Sequence, residues 1–165
     1  GDARDCQCGY LRMTGRDYDH SSPAEHRSEH YKAIRRAQRR GEAAGMIAYD
    51  AAGPVGWVSF GPREEYARLV ASPVLQPVDD QRVTSVVCFV IAARARRKGV
   101  ARALLDAVIN YAADHEIATL EAYPVDWGDK RPSAPACGAA RSRSTSRPVS
   151  SWPTPGRPTG SPDRS

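Results

Sequence analysis

The order of apolar and polar positions divides the first half of the chain into one helix and one hairpin. Residues 25–40 have a helix-forming composition that ends in a group of arginines. The apolar segments 46–49 and 55–60 flank a turn-forming sequence at residues 50–54, which predicts an antiparallel β-hairpin. Residues 63–80 contain prolines and no regular period, so irregular structure is predicted there.

A second unit follows the hairpin. The continuous apolar run at residues 84–91 is rich in β-branched side chains and predicts a strand buried on both faces. After a basic loop at residues 94–99, apolar positions recur at helical spacing to about residue 115, and residues 119–125 again predict a strand. A strand–helix–strand unit has parallel neighbouring strands. Joined to the hairpin, it predicts an α/β (α+β) fold with a mixed central sheet flanked by helices.

Length and composition set the limits of this fold. The chain has 165 residues, of which 41% are hydrophobic and 26% charged, so one globular domain is expected. No apolar run is long enough to cross a membrane, and no apolar segment follows the polar first residues, so we expect a cytoplasmic location. Cys6 and Cys8 are too closely spaced for the common zinc-binding pairs, and no metal site is predicted.

The positive charge is concentrated at the C-terminus. The formal net charge is +5, and residues 132–165 hold five arginines and one aspartate, which leaves residues 1–131 nearly neutral. Serine, proline and arginine supply 20 of these 34 residues, and no strand-like run occurs among them. Such a segment cannot bury enough apolar surface to offset its ordering entropy. We therefore predict a folded domain at 1–131 and a disordered tail at 132–165.

The loop between the buried strand and its helix carries the candidate chemistry. Arg94, Arg96, Arg97 and Lys98 place four cations in five positions, immediately before Gly99. A helix N-terminus presents unpaired backbone N–H groups and partial positive charge, so this loop predicts a site for a phosphorylated ligand. A solvated basic turn is the alternative. The loop matches neither the P-loop nor the dinucleotide-binding glycine pattern.

Residues 96–101 fit the pattern Arg/Gln-x-x-Gly-x-Gly/Ala, and here the chain resembles the GNAT superfamily of acetyl-CoA-dependent N-acetyltransferases. The flanking strand and helix, together with the hairpin at 54–58, are similar to the family's central elements. Segments 6–12, 61–66 and 121–125 resemble one bacterial branch whose members are mostly uncharacterised. The resemblance covers about residues 6–131 and implies an acyl-CoA N-acyltransferase fold, with acetyl-CoA as co-substrate.

The resemblance also implies which residues bind the coenzyme. The pyrophosphate would lie on the loop backbone, and the pantetheine arm would run along the central strand like an added strand. The implied coenzyme-binding residues are Cys88, Phe89, Val90, Arg96, Arg97, Lys98, Gly99, Val100 and Ala101. A backbone N–H near Val90 would stabilise the oxyanion when a neutral amine attacks the thioester directly.

The amine must also lose a proton, and four carboxylates are candidates for the base. Among Glu64, Glu65, Asp80 and Glu121 we favour Glu121, because it lies on the strand beside the expected thioester slot. Strand alternation puts Glu121 and Tyr123 on one face. The alternative is that Glu121 is a charged residue that points to solvent.

The C-terminus departs from the family pattern. GNAT enzymes usually continue with a further helix, which often carries a tyrosine that protonates the leaving thiolate, and with a hairpin. Residues 132–165 contain no strand-like run, so the helix and hairpin are predicted to be lacking. They also contain no tyrosine, so the general acid is not assigned, and Tyr123 and Tyr111 are the nearest phenols. Arginine outnumbers lysine 21 to 3, which suits a GC-rich gene and the hypothesis of a shifted reading frame in the tail.

Three functions remain open at this point. The first is an N-acetyltransferase that acts on a small-molecule or peptide amine; acidic residues at 64–65 and 79–80 suit a cationic acceptor. The second is a catalytically impaired or inactive acyl-CoA-binding remnant. The third is a nucleic-acid-binding protein that uses residues 35–40 and the basic tail, which the nearly neutral body and the 7% aromatic content disfavour.

Overall fold

The computed structural model describes residues 8–77, 79–123 and 145–148, whose centre is a five-stranded mixed sheet. The strands lie in the spatial order β1 to β5. Only β3 and β4 are parallel, and each other neighbouring pair is antiparallel. The fold class predicted from the sequence is confirmed. The strands are β1 (Gly45–Asp50), β2 (Gly53–Pro62), β3 (Thr84–Ile91), β4 (Thr119–Ala122) and β5 (Thr145–Pro148).

Helices cover both faces of the sheet. The long helix α5 (Val100–Asp114) packs on one face of the sheet. Helices α1 (Gly9–Arg12) and α3 (Pro23–Arg39) reach the other face through Arg12, which contacts Ser59, and His30, which contacts Trp57. Two 3₁₀ turns, at Arg63–Glu65 and Ala93–Ala95, begin the connections that follow β2 and β3. The described helices are α1 (Gly9–Arg12), α2 (Gly15–Asp19), α3 (Pro23–Arg39), α4 (Ala67–Val70) and α5 (Val100–Asp114).

The helix predicted at residues 25–40 begins two residues earlier, at Pro23, because a capping box defines its start. The Ser22 hydroxyl accepts the Glu25 backbone N–H at 3.3 Å, and the Glu25 carboxylate accepts the Ser22 N–H at 2.7 Å. Proline suits the first helical position, since its missing N–H has no partner there in any helix. These local contacts satisfy two backbone donors at the helix N-terminus.

The core lies between α5 and the sheet. Apolar side chains of α5 pack on β2, β3 and β4, and Gly56 of β2 lies beneath the first turn of the helix. A Cβ atom at Gly56 would lie 2.8 Å from Val100 Cγ1 and 3.0 Å from Leu104 Cδ1. Glycine therefore allows α5 to begin close to the sheet, which fixes the position of the basic loop before it. The main buried members of this core are Val58, Phe60, Val86, Leu104, Val108, Ile109, Ala112 and Leu120.

The prediction that β3 is buried on both faces is wrong for the second half of the strand. Ser85 and Val86 are buried, but Phe89 is 41% exposed and its neighbours are only partly buried. The pairing explains the difference, because β4 contacts β3 only at residues 84–86. Beyond that point, no strand in the described residues covers the edge of β3.

The expectation that the tail contains no strand is wrong at residues 145–148. These residues form β5, which pairs antiparallel with β4. A sheet edge presents unpaired backbone groups, and an extended segment can satisfy them without an alternating side-chain pattern. The rest of the predicted disordered or frame-shifted tail, and the domain boundary near residue 131, lie outside the described residues.

His30 gives this fold a pH dependence that can be measured. Burial and, to a smaller extent, the nearby Arg12 cation together lower the pKa of His30 to about 4. An unfolded histidine has a pKa of about 6.5, so between these values the unfolded chain binds more protons than the folded one. The free energy of unfolding should therefore decrease as the pH falls from about 6.5 to 4.

Urea unfolding across this pH range, in the wild type and in His30→Gln, isolates the contribution of the histidine from that of the carboxylates. We expect the stability difference between the two proteins to change between the two pKa values. A difference that stays constant over that range would show that His30 is not held neutral in the fold.

Candidate functional site

The two parallel strands, β3 and β4, separate after Val86 and Ala122, and the gap between them is called the fork. Val87 is an extra residue in β3, because Cys88 pairs with Ser59 of β2 while Val86 pairs with the next residue, Phe60. Such a bulge bends a strand and increases its twist. Pairing with β4 ends at this bulge. From Val87 to Ile91, the edge of β3 therefore has no strand neighbour within the described residues.

The strand residues proposed for coenzyme binding lie on this open edge. Cys88 and Val90 are partly buried, and Phe89 is exposed on the half of β3 that leads to the basic loop. An open strand edge offers backbone N–H and C=O groups at regular spacing. An extended amide-containing arm can add to this edge as a strand would.

The basic loop is exposed and has an unusual backbone. Arg96, Arg97, Lys98 and Gly99 are all exposed, and Val100 begins α5. Arg97 has φ 61° and Gly99 has φ 79°, so two residues near the helix start adopt the left-handed conformation. A non-glycine residue in this region carries backbone strain, which is common at ligand-binding sites.

The first turn of α5 has no side-chain cap in the described part of the chain. The N–H groups at this end are therefore open to a ligand, together with the partial positive charge of the helix. Ala101 is exposed in this turn and is small enough to leave the backbone accessible. An exposed, uncapped helix end of this kind suits an anion, and that this loop binds one stays a prediction.

The cations of the loop do not all have the same role. Arg94 forms an exposed ion pair with Asp50, the last residue of β1, and this hydrogen bond lowers the pKa of Asp50. Arg96 Nε donates to the Ile91 carbonyl at 3.3 Å. Among the described residues Arg97 makes no ion pair. Arg94 and Arg96 thus hold the loop against the sheet, while Arg97 can neutralise a ligand.

Glu121 is buried at the base of the fork, with 2% of its surface exposed. Its Oε1 accepts from Arg63 Nη1 at 2.7 Å, from Ser85 Oγ at 2.6 Å and from the Tyr123 hydroxyl. The alternative that Glu121 points to solvent is therefore wrong. An ion pair and two hydroxyl donors stabilise the carboxylate inside the protein.

Tyr123 directly follows β4, and its side chain is half-buried where the strands separate. Its hydroxyl lies 2.8 Å from Arg63 Nη1 and 3.3 Å from Ser85 Oγ. Burial raises the pKa of Tyr123, and donation to Glu121 raises it further. The phenol is therefore neutral at ordinary pH, and of the four groups in this cluster it is the most exposed.

Arg63 and Ser85 were not predicted as site residues. Ser85 carried a weak signal, since it is a hydroxyl at the start of an otherwise apolar strand. Arg63 carried none, because 58 residues separate it from Glu121 and only the sheet brings them together. Sequence patterns report periodicity and local spacing, which do not reveal a pair of this kind.

The other candidate residues lie elsewhere. Glu65 forms ion pairs with Arg40 at 2.6 Å and Arg12 at 3.5 Å, so its charge is already compensated. Glu64 and Asp80 are at the surface. The Tyr111 hydroxyl accepts the Ala43 backbone N–H at 2.9 Å and supports the core. Of the four proposed bases, Glu121 is thus the one placed at the fork.

Residues 8–77, 79–123 and 145–148 contain neither a candidate metal-binding cluster nor a candidate membrane-spanning helix. No group of three or more histidine, cysteine, aspartate or glutamate side chains is placed to hold a metal ion there. None of the helices in that part of the chain is both long and apolar enough to cross a bilayer.

Comparison with known proteins adds a family match. The model of the acetyltransferase (GNAT) family matches residues 11–130. No curated protein matches the chain significantly.

Several solved structures are similar to this chain. A ribosomal-protein-alanine N-acetyltransferase from Brucella melitensis is 22% identical, with a TM-score of 0.42, over 58% of this chain and 51% of its own. An N-acetyltransferase from Staphylococcus aureus is 23% identical, with a TM-score of 0.41, over 64% and 53%. An aminoglycoside antibiotic 6'-N-acetyltransferase from Acinetobacter haemolyticus is 18% identical, with a TM-score of 0.43, over 67% of each chain. The chain spans about half the length of the first two structures.

Proposed function

The chain belongs to the acetyltransferase (GNAT) family, and on that basis we propose that it transfers the acetyl group of acetyl-CoA to an amine. The observation that carries the proposal is the continuity of two features. The open edge of β3, from Val87 to Ile91, leads directly into an exposed loop with an uncapped helix N-terminus. The first feature suits an amide-containing arm and the second suits a diphosphate.

The proposed coenzyme site uses both features. The diphosphate accepts backbone N–H groups between Arg96 and Ala101, with Arg97 and Lys98 as the adjacent cations. The pantetheine arm lies along Cys88, Phe89 and Val90, which brings the thioester to the fork. The Val90 backbone N–H is the proposed donor to the oxyanion that forms on the thioester carbonyl.

The proposed reaction is a direct transfer. The amine nitrogen attacks the thioester carbonyl, the carbon–sulfur bond breaks, and the coenzyme leaves as a thiolate. Positioning supplies most of the rate, and the nitrogen must lose one proton. Glu121 is the proposed proton acceptor, and Tyr123 connects it to the fork, because the buried carboxylate itself is not at the surface.

Thiol release from acetyl-CoA with a panel of small-molecule and peptide amines tests this activity. Tyr123→Phe should reduce the rate about 100-fold, which is typical for loss of a group on a proton path. Tyr49→Phe is the matched control, since Tyr49 is 67% exposed on β1 and should leave the rate unchanged. Equal rates for the two variants would remove Tyr123 from the mechanism.

The unfolding temperature, measured with desulfo-CoA and with ATP as the comparison ligand, separates the acetyltransferase activity from the alternative of a non-catalytic acyl-CoA-binding protein. Stabilisation by desulfo-CoA without thiol release from acetyl-CoA would identify a non-catalytic acyl-CoA-binding protein. If neither stabilisation nor thiol release is observed, the acetyltransferase proposal is wrong.

The acceptor and the location are also proposals. We propose a small-molecule or peptide amine as acceptor. The acidic residues at 64–65 and 79–80 gave a reason to expect a cationic acceptor. This reason is weaker in the structure, because Glu65 is already paired with Arg12 and Arg40. The cytoplasm is the proposed location.

A further inference from the structure

We propose that Arg63 is a positioning residue of the transfer site, which holds the Tyr123 phenol so that its oxygen, and not its proton, faces the acceptor amine. The inference rests on the proposed function for the identity of the amine. The arrangement of the four side chains is independent of that function and can be tested without turnover.

The Arg63 side chain joins the end of β2 to β4, to Tyr123 and to the segment between β2 and β3. It directly follows β2, is 6% exposed, and its Nη1 contacts both Glu121 Oε1 and the Tyr123 hydroxyl. Its Nη2 donates to the carbonyls of Leu69 and Leu75, in the segment between β2 and β3. The planar guanidinium fixes these donors at set angles, so one side chain sets the geometry of the carboxylate, the phenol and the adjoining loop.

Counting protons within this cluster gives the direction of each hydrogen bond. A guanidinium can only donate and an ionised carboxylate can only accept. The contact of Tyr123 with Glu121 therefore uses the phenol proton, and its contact with Arg63 uses one of the two acceptor positions of the phenol oxygen. Ser85 gives its proton to Glu121 at 2.6 Å, so its 3.3 Å contact with Tyr123 carries none.

One acceptor position on the Tyr123 oxygen is left by this count. Ser85, Glu121 and Arg63 are buried, whereas Tyr123 is partly exposed at the fork. The group that the cluster presents to a bound substrate is therefore a hydrogen-bond acceptor. An amine N–H is its complement, and a thiolate is not.

The consequence for the transfer is a proton path with balanced steps. As the nitrogen attacks the thioester carbon, its proton passes to the Tyr123 oxygen, and the phenol proton passes to Glu121 Oε1. The phenol is unchanged, the carboxylate gains one proton, and the electron pair of the broken bond leaves with sulfur. Tyr123 thus orients and deprotonates the amine, in contrast to the family tyrosine that protonates the thiolate.

The charge of Arg63 determines that Tyr123 donates its proton to Glu121, and not the reverse. Without the cation, burial would favour the neutral form of Glu121, which would then donate to the Tyr123 oxygen. The phenol proton would turn toward the fork, and the site would offer a donor to the amine. A lysine at position 63 keeps the charge but lacks the planar guanidinium group. It should therefore preserve the direction of the hydrogen bond from Tyr123 to Glu121, with poorer geometry.

Carboxyl NMR titration of Glu121 tests the charge relationship without any activity, with Glu121→Gln as the assignment control. In Arg63→Met, Glu121 should titrate at a higher pH than in the wild type, because loss of the adjacent cation favours the neutral form of a buried carboxyl group. In Arg63→Lys it should titrate close to its wild-type value. A Glu121 titration that is the same in wild type and Arg63→Met would overturn the proposal.

The pH profile of kcat provides the second test. Arg63→Met should lower kcat about 100-fold, leave the KM for acetyl-CoA nearly unchanged, and move the acid limb to higher pH. Arg63→Lys should recover part of kcat and keep the wild-type acid limb. If Arg63→Met does not fold, Arg63→Lys still decides, because a wild-type kcat in that variant would show that the guanidinium is not needed.

The two readouts separate the two proposals. Absence of thiol release by the wild type, with the expected Glu121 titrations, would reject the acetyltransferase function and retain the Arg63 arrangement. Thiol release by the wild type, with an acid limb that does not move in Arg63→Met, would retain the acetyltransferase function and reject the proposed role of Arg63.

Discussion

Replacement of Gly99 by glutamate is expected to weaken coenzyme A binding by about 100-fold, equivalent to about 2.7 kcal/mol. Gly99 lies immediately before α5 in the left-handed conformation, at φ 79°. A carboxylate at this point would interact with the partial positive charge of the helix that the diphosphate needs. It would also repel the diphosphate directly. Calorimetric titration with coenzyme A measures the loss.

The same substitution at Gly41 is the matched control. Gly41 also has positive φ, at 71°, and a Cβ atom there would meet nothing within 4 Å, as at Gly99. The two variants therefore share the backbone strain and the added charge, and differ in their distance along the chain from the basic loop. We expect Gly41→Glu to bind coenzyme A like the wild type. Equal weakening in both variants would mean that the effect is general, and no weakening in either would remove the loop from the site.

The second large effect concerns stability. Removal of one partner from a buried ion pair leaves an uncompensated charge, which costs about 3–5 kcal/mol. Arg63→Met and Glu121→Leu should each lose about this much, because both side chains are more than nine-tenths buried. The double variant should lose much less than the sum of the two, since neither charge then remains. Urea unfolding of the four proteins at pH 7 gives the coupling energy.

An exposed pair provides the comparison for this cycle. Lys32 and Glu29 lie 2.6 Å apart on the surface of α3, with 58% and 35% of their side chains exposed. Exposed helix pairs contribute about 0.3–0.5 kcal/mol. A coupling energy for Arg63 and Glu121 no larger than that of the exposed pair would contradict the buried network described here.

The sequence was sufficient for the parts of the fold that depend on local periodicity. The hairpin, the strand–helix–strand unit and the long helix at residues 100–114 follow from apolar spacing and turn residues, and the structure has each of them. The loop before Val100 was also predictable, because its cations and glycine are consecutive. The structure shows that this loop is exposed and that Arg97 has positive φ, whereas anion binding by the loop stays a prediction.

Features that depend on pairing between distant segments could not be predicted in this way. The apolar run at 84–91 does not reveal where β4 stops pairing, so the exposure of Phe89 was missed. Strand β5 depends on the open edge of β4 and not on its own side-chain pattern. The alternation of β4 placed Glu121 and Tyr123 together, but their partner Arg63 reaches them through the tertiary fold alone.

The crystal structure of the protein with bound coenzyme A tests the central claim most directly. The account predicts diphosphate oxygens within hydrogen-bond distance of the backbone nitrogens of Gly99, Val100 and Ala101. It also predicts the pantetheine arm beside Cys88 to Val90, with its sulfur toward Tyr123. Coenzyme bound at any other surface, with nothing bound at the basic loop or along the open edge of β3, would contradict the account.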